Sequence, residues 1–189
     1  RSPHRVAPAL HRARTPTGPV PRARASRAPY PPELDPNRPR IDADLALPAL
    51  PATIRELAEQ LTRGKRSPYD SAVAIQDFLR GPDFTYDLSV PPLGLQAGQS
   101  PLVDFLFTSR RGYCEQFASS MVVLARSIGI PSRVAIGFTP GTRQHDGNYL
   151  VTNRDAHSWP ELYFAGAGWI RLEPTPLAQG RGDVPTYSS

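Results

Sequence analysis

Apolar residues recur at helical spacing in the first half of the chain and alternate in the second. Ile54, Leu57, Ala58 and Leu61 share one helical face, which predicts a helix over Thr53–Thr62 with Gly64 at its stop. Ser67-Pro68-Tyr69-Asp70 opens a second helix: serine as N-cap, proline at the first position, an acid in the first turn. Ala72, Ile75, Phe78 and Leu79 carry it to about Arg80, and Gly81-Pro82 ends it. Phe84–Leu88 reads as a short strand-like piece, Pro91–Ser100 as a loop, and Pro101–Phe107 as a short helix. Phe117, Met121, Leu124, Ala125 and Ile128 define the longest amphipathic helix, which starts at Cys114 and closes at Gly129-Ile130-Pro131.

Beyond Pro131 the period becomes two. Strands are expected over Arg133–Phe138, Asn148–Thr152 and His157–Phe164, with a polar turn region at Thr139–Gly147. Ala165-Gly166-Ala167-Gly168 turns the chain, Trp169–Glu173 returns, and Pro174-Thr175-Pro176 ends the strand. Helices followed by an antiparallel sheet predict an α+β fold.

Composition changes the picture mainly at the ends. The net charge is +5, but residues 1–40 hold nine arginines against Glu33 and Asp35, a net of +7. The remaining 149 residues carry a net of −2, so the basicity belongs to the tail. That tail also carries ten prolines and no hydrophobic period, and is expected to be a disordered linker. Residues 41–178 form the expected domain, entered by an extended lead-in from about Ile41 to Pro51, and 179–189 begin a second linker. A nucleic-acid footprint would need basic side chains clustered on the folded part, and none is seen, so nucleic acid is not an expected partner. A single cysteine excludes an intrachain disulfide and a multi-cysteine zinc site. No apolar run has the length of a membrane span or a signal peptide. The first residue is Arg1 and not methionine, so the chain is expected to be a fragment.

Cys114 is the one candidate nucleophile. At a helix N-terminus, free N–H groups and the positive end of the macrodipole favour the thiolate, and Arg110 and Arg111 add positive charge just upstream. The competing reading is a cysteine packed as a small hydrophobe. Two histidines lie outside the tail. His145 is at a polar hairpin tip and is read as exposed and inert, whereas His157 begins a strand of bulky residues. With the turn at Ala165–Gly168, Glu173 returns to the end of the hairpin where His157 starts, within reach of a ring nitrogen given strands about 4.8 Å apart. Asp155 stands only two residues before His157 and cannot easily fold back on it, so Glu173 is preferred as the acid. An acid that orients a histidine, and a histidine that deprotonates a thiol, form a catalytic triad of nucleophile, base and orienter. Trp159 and Trp169 are read as either groove or core residues, Glu161 as structural or surface-facing, and Glu115 as a cap to the helix.

Four separated motifs carry a family resemblance: Gly112-Tyr113-Cys114-Glu115-Gln116-Phe117-Ala118, Gly129-Ile130-Pro131-Ser132-Arg133, His157-Ser158-Trp159-Pro160-Glu161, and Gly168-Trp169-Ile170-Arg171-Leu172-Glu173-Pro174-Thr175-Pro176. Over about residues 45–178 the chain resembles the bacterial transglutaminase-like core family, a branch of the papain-like cysteine enzymes. It is especially similar to the extracytoplasmic domains of membrane-embedded members. The resemblance implies Cys114 as nucleophile, His157 as general base and acid, and Glu173 as third member. The residue common in the family at that third position is aspartate, and the glutamate here extends the reach by a methylene. The papain-type glutamine six residues before the nucleophile is replaced by Thr108, which leaves the backbone N–H of Cys114 as a candidate oxyanion donor.

The implied activity is cysteine-dependent acyl transfer on a protein or peptide carboxamide through a thioester, resolved by an amine acceptor (cross-linking) or by water (amidase or protease). The scheme requires no metal and no organic cofactor. The implied location is the extracytoplasmic face of the cell membrane, with membrane attachment through segments outside this fragment. A non-catalytic binding or assembly domain of the same fold is the alternative, and an anionic-surface binder acting through the Arg/Pro tail is a third reading.

Overall fold

The computed structural model describes residues 43–90 and 100–176. The expected linkers at 1–40 and 179–189, and the Pro91–Ser100 loop up to residue 99, lie outside the described residues.

Helix α1 covers Ala52–Thr62 and helix α2 covers Pro68–Leu79. The second start is capped as its sequence predicts: Ser67 Oγ accepts the Asp70 N–H at 3.1 Å, and Pro68 takes the first helical position. Strand β1 is only Thr85–Tyr86. The turn α3, Pro101–Val103, does not continue as a regular helix to Phe107 but widens into a π-helical stretch over Asp104–Ser109. That stretch turns the adjacent Phe105 and Leu106 both inward, where they are 2 % and 0 % exposed. Strand β2 is Arg111–Gly112, and the central helix α4 is Cys114–Ser127.

The close of α4 follows from its glycine. Gly129 adopts φ 82°, its N–H bonds the Arg126 carbonyl at 3.0 Å, and the Ile130 N–H bonds the Ala125 carbonyl at 3.0 Å. This Schellman pairing satisfies carbonyls that the helix end would otherwise orphan. Arg126 then ties three segments together, donating to the Ser132 carbonyl and to Ala46 O in the lead-in and pairing with Asp44.

The sheet is antiparallel, in the order β3-β6-β7, with β3 Ser132–Phe138, β6 Ala156–Phe164 and β7 Gly168–Arg171. Its register sets Gly137 opposite His157 and Glu161 opposite Arg171. The expected strand Asn148–Thr152 is reduced to β5, Tyr149–Leu150. It pairs with β4, Thr142–Arg143, as a separate two-stranded ribbon within and beyond the expected turn region. Its residues are exposed, so no core face recruits it to the main sheet. The helices cover β6: Phe117, Met121 and Leu124 of α4 join Ile75 and Leu79 of α2 and Leu162 and Phe164 of β6 in one buried cluster. Helices packed on one face of an antiparallel sheet make the fold α+β.

Candidate active site

Cys114 is the first residue of α4, and the chain delivers it there under tight constraint. β1 and β2 pair in parallel, with the Thr85 N–H on Arg110 O at 2.9 Å and the Asp87 N–H on Gly112 O at 2.8 Å. Arg110, at φ 50°, reverses the chain in the left-handed region and pairs with Asp83 at 2.7 Å, while Arg111 pairs with Asp87 at 2.7 Å. The two arginines expected to act on the thiol are thus bound to carboxylates of the preceding segment. Gly112 leaves no room for a side chain: a Cβ would stand 2.8 Å from Gln116 Cβ and 2.9 Å from Phe105 Cε2. Phe105 lies against Phe117 and Phe84, with ring centroids 4.9 and 5.3 Å away, so an aromatic floor sits beneath the first turn of α4. Gln116 Oε1 accepts the Tyr113 N–H at 3.1 Å, which holds the residue before Cys114 in an extended conformation. The Gln116 N–H turns back onto the Tyr113 carbonyl at 3.0 Å, while the earlier N–H groups of a helix, here those of Cys114 and Glu115, have no intrahelical acceptor.

Across from α4, the start of β6 brings His157 and Ser158, each 6 % exposed. The ladder between β6 and β7 continues one step past the strand, with the Leu172 N–H on Pro160 O at 3.0 Å. Glu173 therefore falls opposite Trp159, one pleat from His157 on the same face. The extra methylene of glutamate spans that offset: His157 Nε2 and Glu173 Oε2 are 2.8 Å apart. With Nε2 engaged, Nδ1 is the ring nitrogen left for the thiol.

The protonation energetics couple the three groups. Burial pushes the Cys114 thiol up, but hydrogen-bonding interaction with the His157 side chain and with the hydroxyl and backbone N–H of Ser158 outweighs it, and the thiol lies below its ordinary value. Burial also disfavours the charged imidazole, yet Cys114 and Glu173 together push His157 up to about 9. Glu173 is raised by burial and lowered more strongly by His157, Thr175 and Arg171, so its carboxyl stays below the usual range. This is the electrostatic arrangement of a thiolate–imidazolium pair backed by a carboxylate.

The remaining expectations divide. The Asp155 carboxylate is engaged in a local cap. Its Oδ2 accepts the Thr152 N–H at 2.7 Å and Thr152 Oγ1 at 2.9 Å, capping the short 3₁₀ turn Asn153–Asp155. His145 is exposed at its hairpin tip. Thr108 is exposed in the π-helical stretch. Glu161 pairs with Arg133 at 2.8 Å, and Glu115 accepts the Tyr113 hydroxyl at 2.8 Å. Burial, then that bond, pushes the Tyr113 phenol up to about 12. Both tryptophans are half-buried and face guanidinium groups, Arg171 over Trp159 and Arg133 over Trp169, each 4.1 Å from the ring centroid.

Three contributors escaped sequence reasoning. Arg171 reaches Glu173 Oε2 at 3.3 Å and shares it with His157. Ser158 approaches the thiol, and its buried hydroxyl has no protein hydrogen bond of ordinary geometry. Gln76 accepts the Glu173 N–H at 2.9 Å from 97 residues away. A signal for Gln76 was present: it stands on the stripe Ala72, Ile75, Leu79, where an amide has no business without a partner. Among the described residues no group of three or more histidine, cysteine or acidic side chains could hold a metal ion, and no helix is long and apolar enough to cross a membrane.

Comparison with known proteins gives the same family. The family model of the transglutaminase-like superfamily matches residues 55–174. The uncharacterized protein YebA of Bacillus subtilis is 41 % identical over 141 residues, covering 71 % of this chain and 19 % of its own length. A protein-glutamine gamma-glutamyltransferase of Pseudomonas aeruginosa is 34 % identical over 122 residues, covering 64 % of this chain and 18 % of its own. The chain thus spans about a fifth of the length of these curated relatives. The crystal structure of the periplasmic domain of TgpA from Pseudomonas aeruginosa is similar with a TM-score of 0.65 and 32 % identity, over 75 % of this chain and 48 % of that one. With the family model matched over more than half its residues, this chain belongs to the transglutaminase-like superfamily.

Proposed function

We propose that this domain is a cysteine acyltransferase acting on protein or peptide carboxamides, with Cys114 as nucleophile, His157 as general base and acid, and Glu173 as the residue that orients and charges the imidazole. The observation that carries the reading is the contact line from thiol to imidazole to carboxylate, with the 2.8 Å link between His157 and Glu173 at its end. The thiolate attacks the carboxamide carbon. The His157 imidazolium gives its proton to the departing ammonia, leaving a thioester on Cys114. An amine then attacks the thioester while neutral His157 takes its proton. Amide forms, the Cys114 thiolate leaves, and the ion pair is restored. Water in place of the amine yields a carboxylate, the hydrolytic outcome. The Cys114 backbone N–H, at the first position of α4 where a helix offers it no acceptor, is suited to receive the developing oxyanion.

Transfer to an amine is favoured over hydrolysis by the likeness to a protein-glutamine gamma-glutamyltransferase. Likeness to a periplasmic domain supports a location on the extracytoplasmic face, within a longer membrane-attached protein. The test is incorporation of a fluorescent primary amine into a glutamine-bearing protein, together with labelling by a thiol-directed electrophile near neutral pH. The wild type is expected to do both and Cys114→Ala neither. Turnover that persists in Cys114→Ala overturns the assignment.

A further inference from the structure

We infer that Gln76, on a helix that contributes no other residue to the site, is a positioning residue for the triad: it fixes the backbone from which Glu173 reaches His157. The inference rests on the reading of Cys114, His157 and Glu173 just given.

The pleat of β7 creates the need. The Leu172 N–H points to β6, where it meets Pro160 O, so the next N–H along, that of Glu173, points the opposite way. β7 is the outer strand of the sheet, and among the described residues no strand lies beyond it to accept that N–H. Strand geometry ends at Arg171, two residues before the acid, so the ladder alone does not hold Glu173. Gln76 supplies the missing acceptor from α2, with its Oε1 2.9 Å from the Glu173 nitrogen.

Burial makes this bond exacting. Gln76 is 4 % exposed, and the other buried residues of α2 are Ala72, Ile75 and Leu79. A buried amide among aliphatic side chains is unfavourable unless bonded, and the peptide N–H of half-buried Glu173 likewise needs an acceptor. Each satisfies the other. With the backbone so held, the carboxylate is placed by the Thr175 N–H on Oε1 at 3.3 Å, and by Arg171 and His157 on Oε2. Oε2 is shared by two cations, so a small shift of the Glu173 backbone transfers its bond from His157 toward Arg171. Gln76 thereby decides which cation the carboxylate serves.

The experiment is the rate of iodoacetamide alkylation of Cys114 against pH, with thermal midpoints, for wild type, Gln76→Leu and Gln76→Asn. Leucine removes the acceptor. Asparagine keeps a buried amide but withdraws it by a methylene, and serves should the leucine variant not fold. The expected result is an alkaline inflection lowered from about 9 by about one pH unit. Variants that are less stable but superimpose on the wild-type profile overturn the inference, since a merely structural glutamine would do only that. A wild-type profile with no displaced inflection is a different outcome. It removes the thiolate–imidazolium pair itself and with it the proposed function.

Discussion

Replacing Glu173 by glutamine keeps the side-chain shape and an oxygen acceptor while deleting the charge beside His157. Burial by itself lowers His157, and interactions with Cys114 and Glu173 raise it from the ordinary 6.5 to about 9. At about 1.36 kcal/mol per pH unit, that net displacement is worth roughly 3 kcal/mol of preference for the charged imidazole. Glu173 is one of the two partners that raise it, so loss of the carboxylate charge is expected to lower the inflection, by about one pH unit. The sign follows from linkage. A group raised in the folded protein adds stability that is complete below its ordinary value and is lost as pH rises through the folded value. For wild type this window closes between 6.5 and about 9, and for Glu173→Gln it closes near about 8. Two measurements read it. The alkaline inflection in the rate of Cys114 alkylation moves down by about one pH unit. The thermal midpoint of the variant falls below that of wild type at pH 7, and the gap narrows above about pH 9. An inflection that stays near 9 in Glu173→Gln would refute the reasoning, because the imidazole would then owe its charge to Cys114 and not to Glu173.

Two stability predictions test the scaffold that presents the site. Gly112→Ala sets a Cβ 2.8 Å from Gln116 Cβ and 2.9 Å from Phe105 Cε2, so the helix turn or the buried ring must shift. A loss of about 1–3 kcal/mol is expected from calorimetry, along with slower labelling of Cys114; an unchanged thermal midpoint would show that the turn relaxes freely. Ser67→Ala removes the cap on the Asp70 N–H and is expected to cost about 1 kcal/mol in chemical denaturation while leaving Cys114 alkylation unchanged.

Much of the fold was legible because its signals are local. The stripe from Phe117 to Ala125, the cap at Ser67 and the stop at Gly129 each act within one or two helical turns, and the structure forms all three. Alternation marked β3 and β6, and the tight turn at Ala165–Gly168 brought Glu173 back toward His157, so that pair was accessible from spacing alone. Asn148–Thr152 misled because alternation cannot report whether a core face exists to receive a strand. The π-helical widening at Asp104–Ser109 answers to the packing of Phe105 and Leu106, which no period encodes.

The sequence by itself determined the three main helices, the strands β3, β6 and β7 and their order, and it singled out Cys114, His157 and Glu173, since each depends on residue type and short-range spacing. Only the tertiary structure decided that α4 brings its N-terminus to the start of β6, that Arg110 and Arg111 are occupied by Asp83 and Asp87, and that Gln76 and Arg171 hold the acid. Those relations join residues tens of positions apart. They arise from burying a common apolar surface and pairing the polar groups trapped with it, a condition on the whole chain that no local window contains.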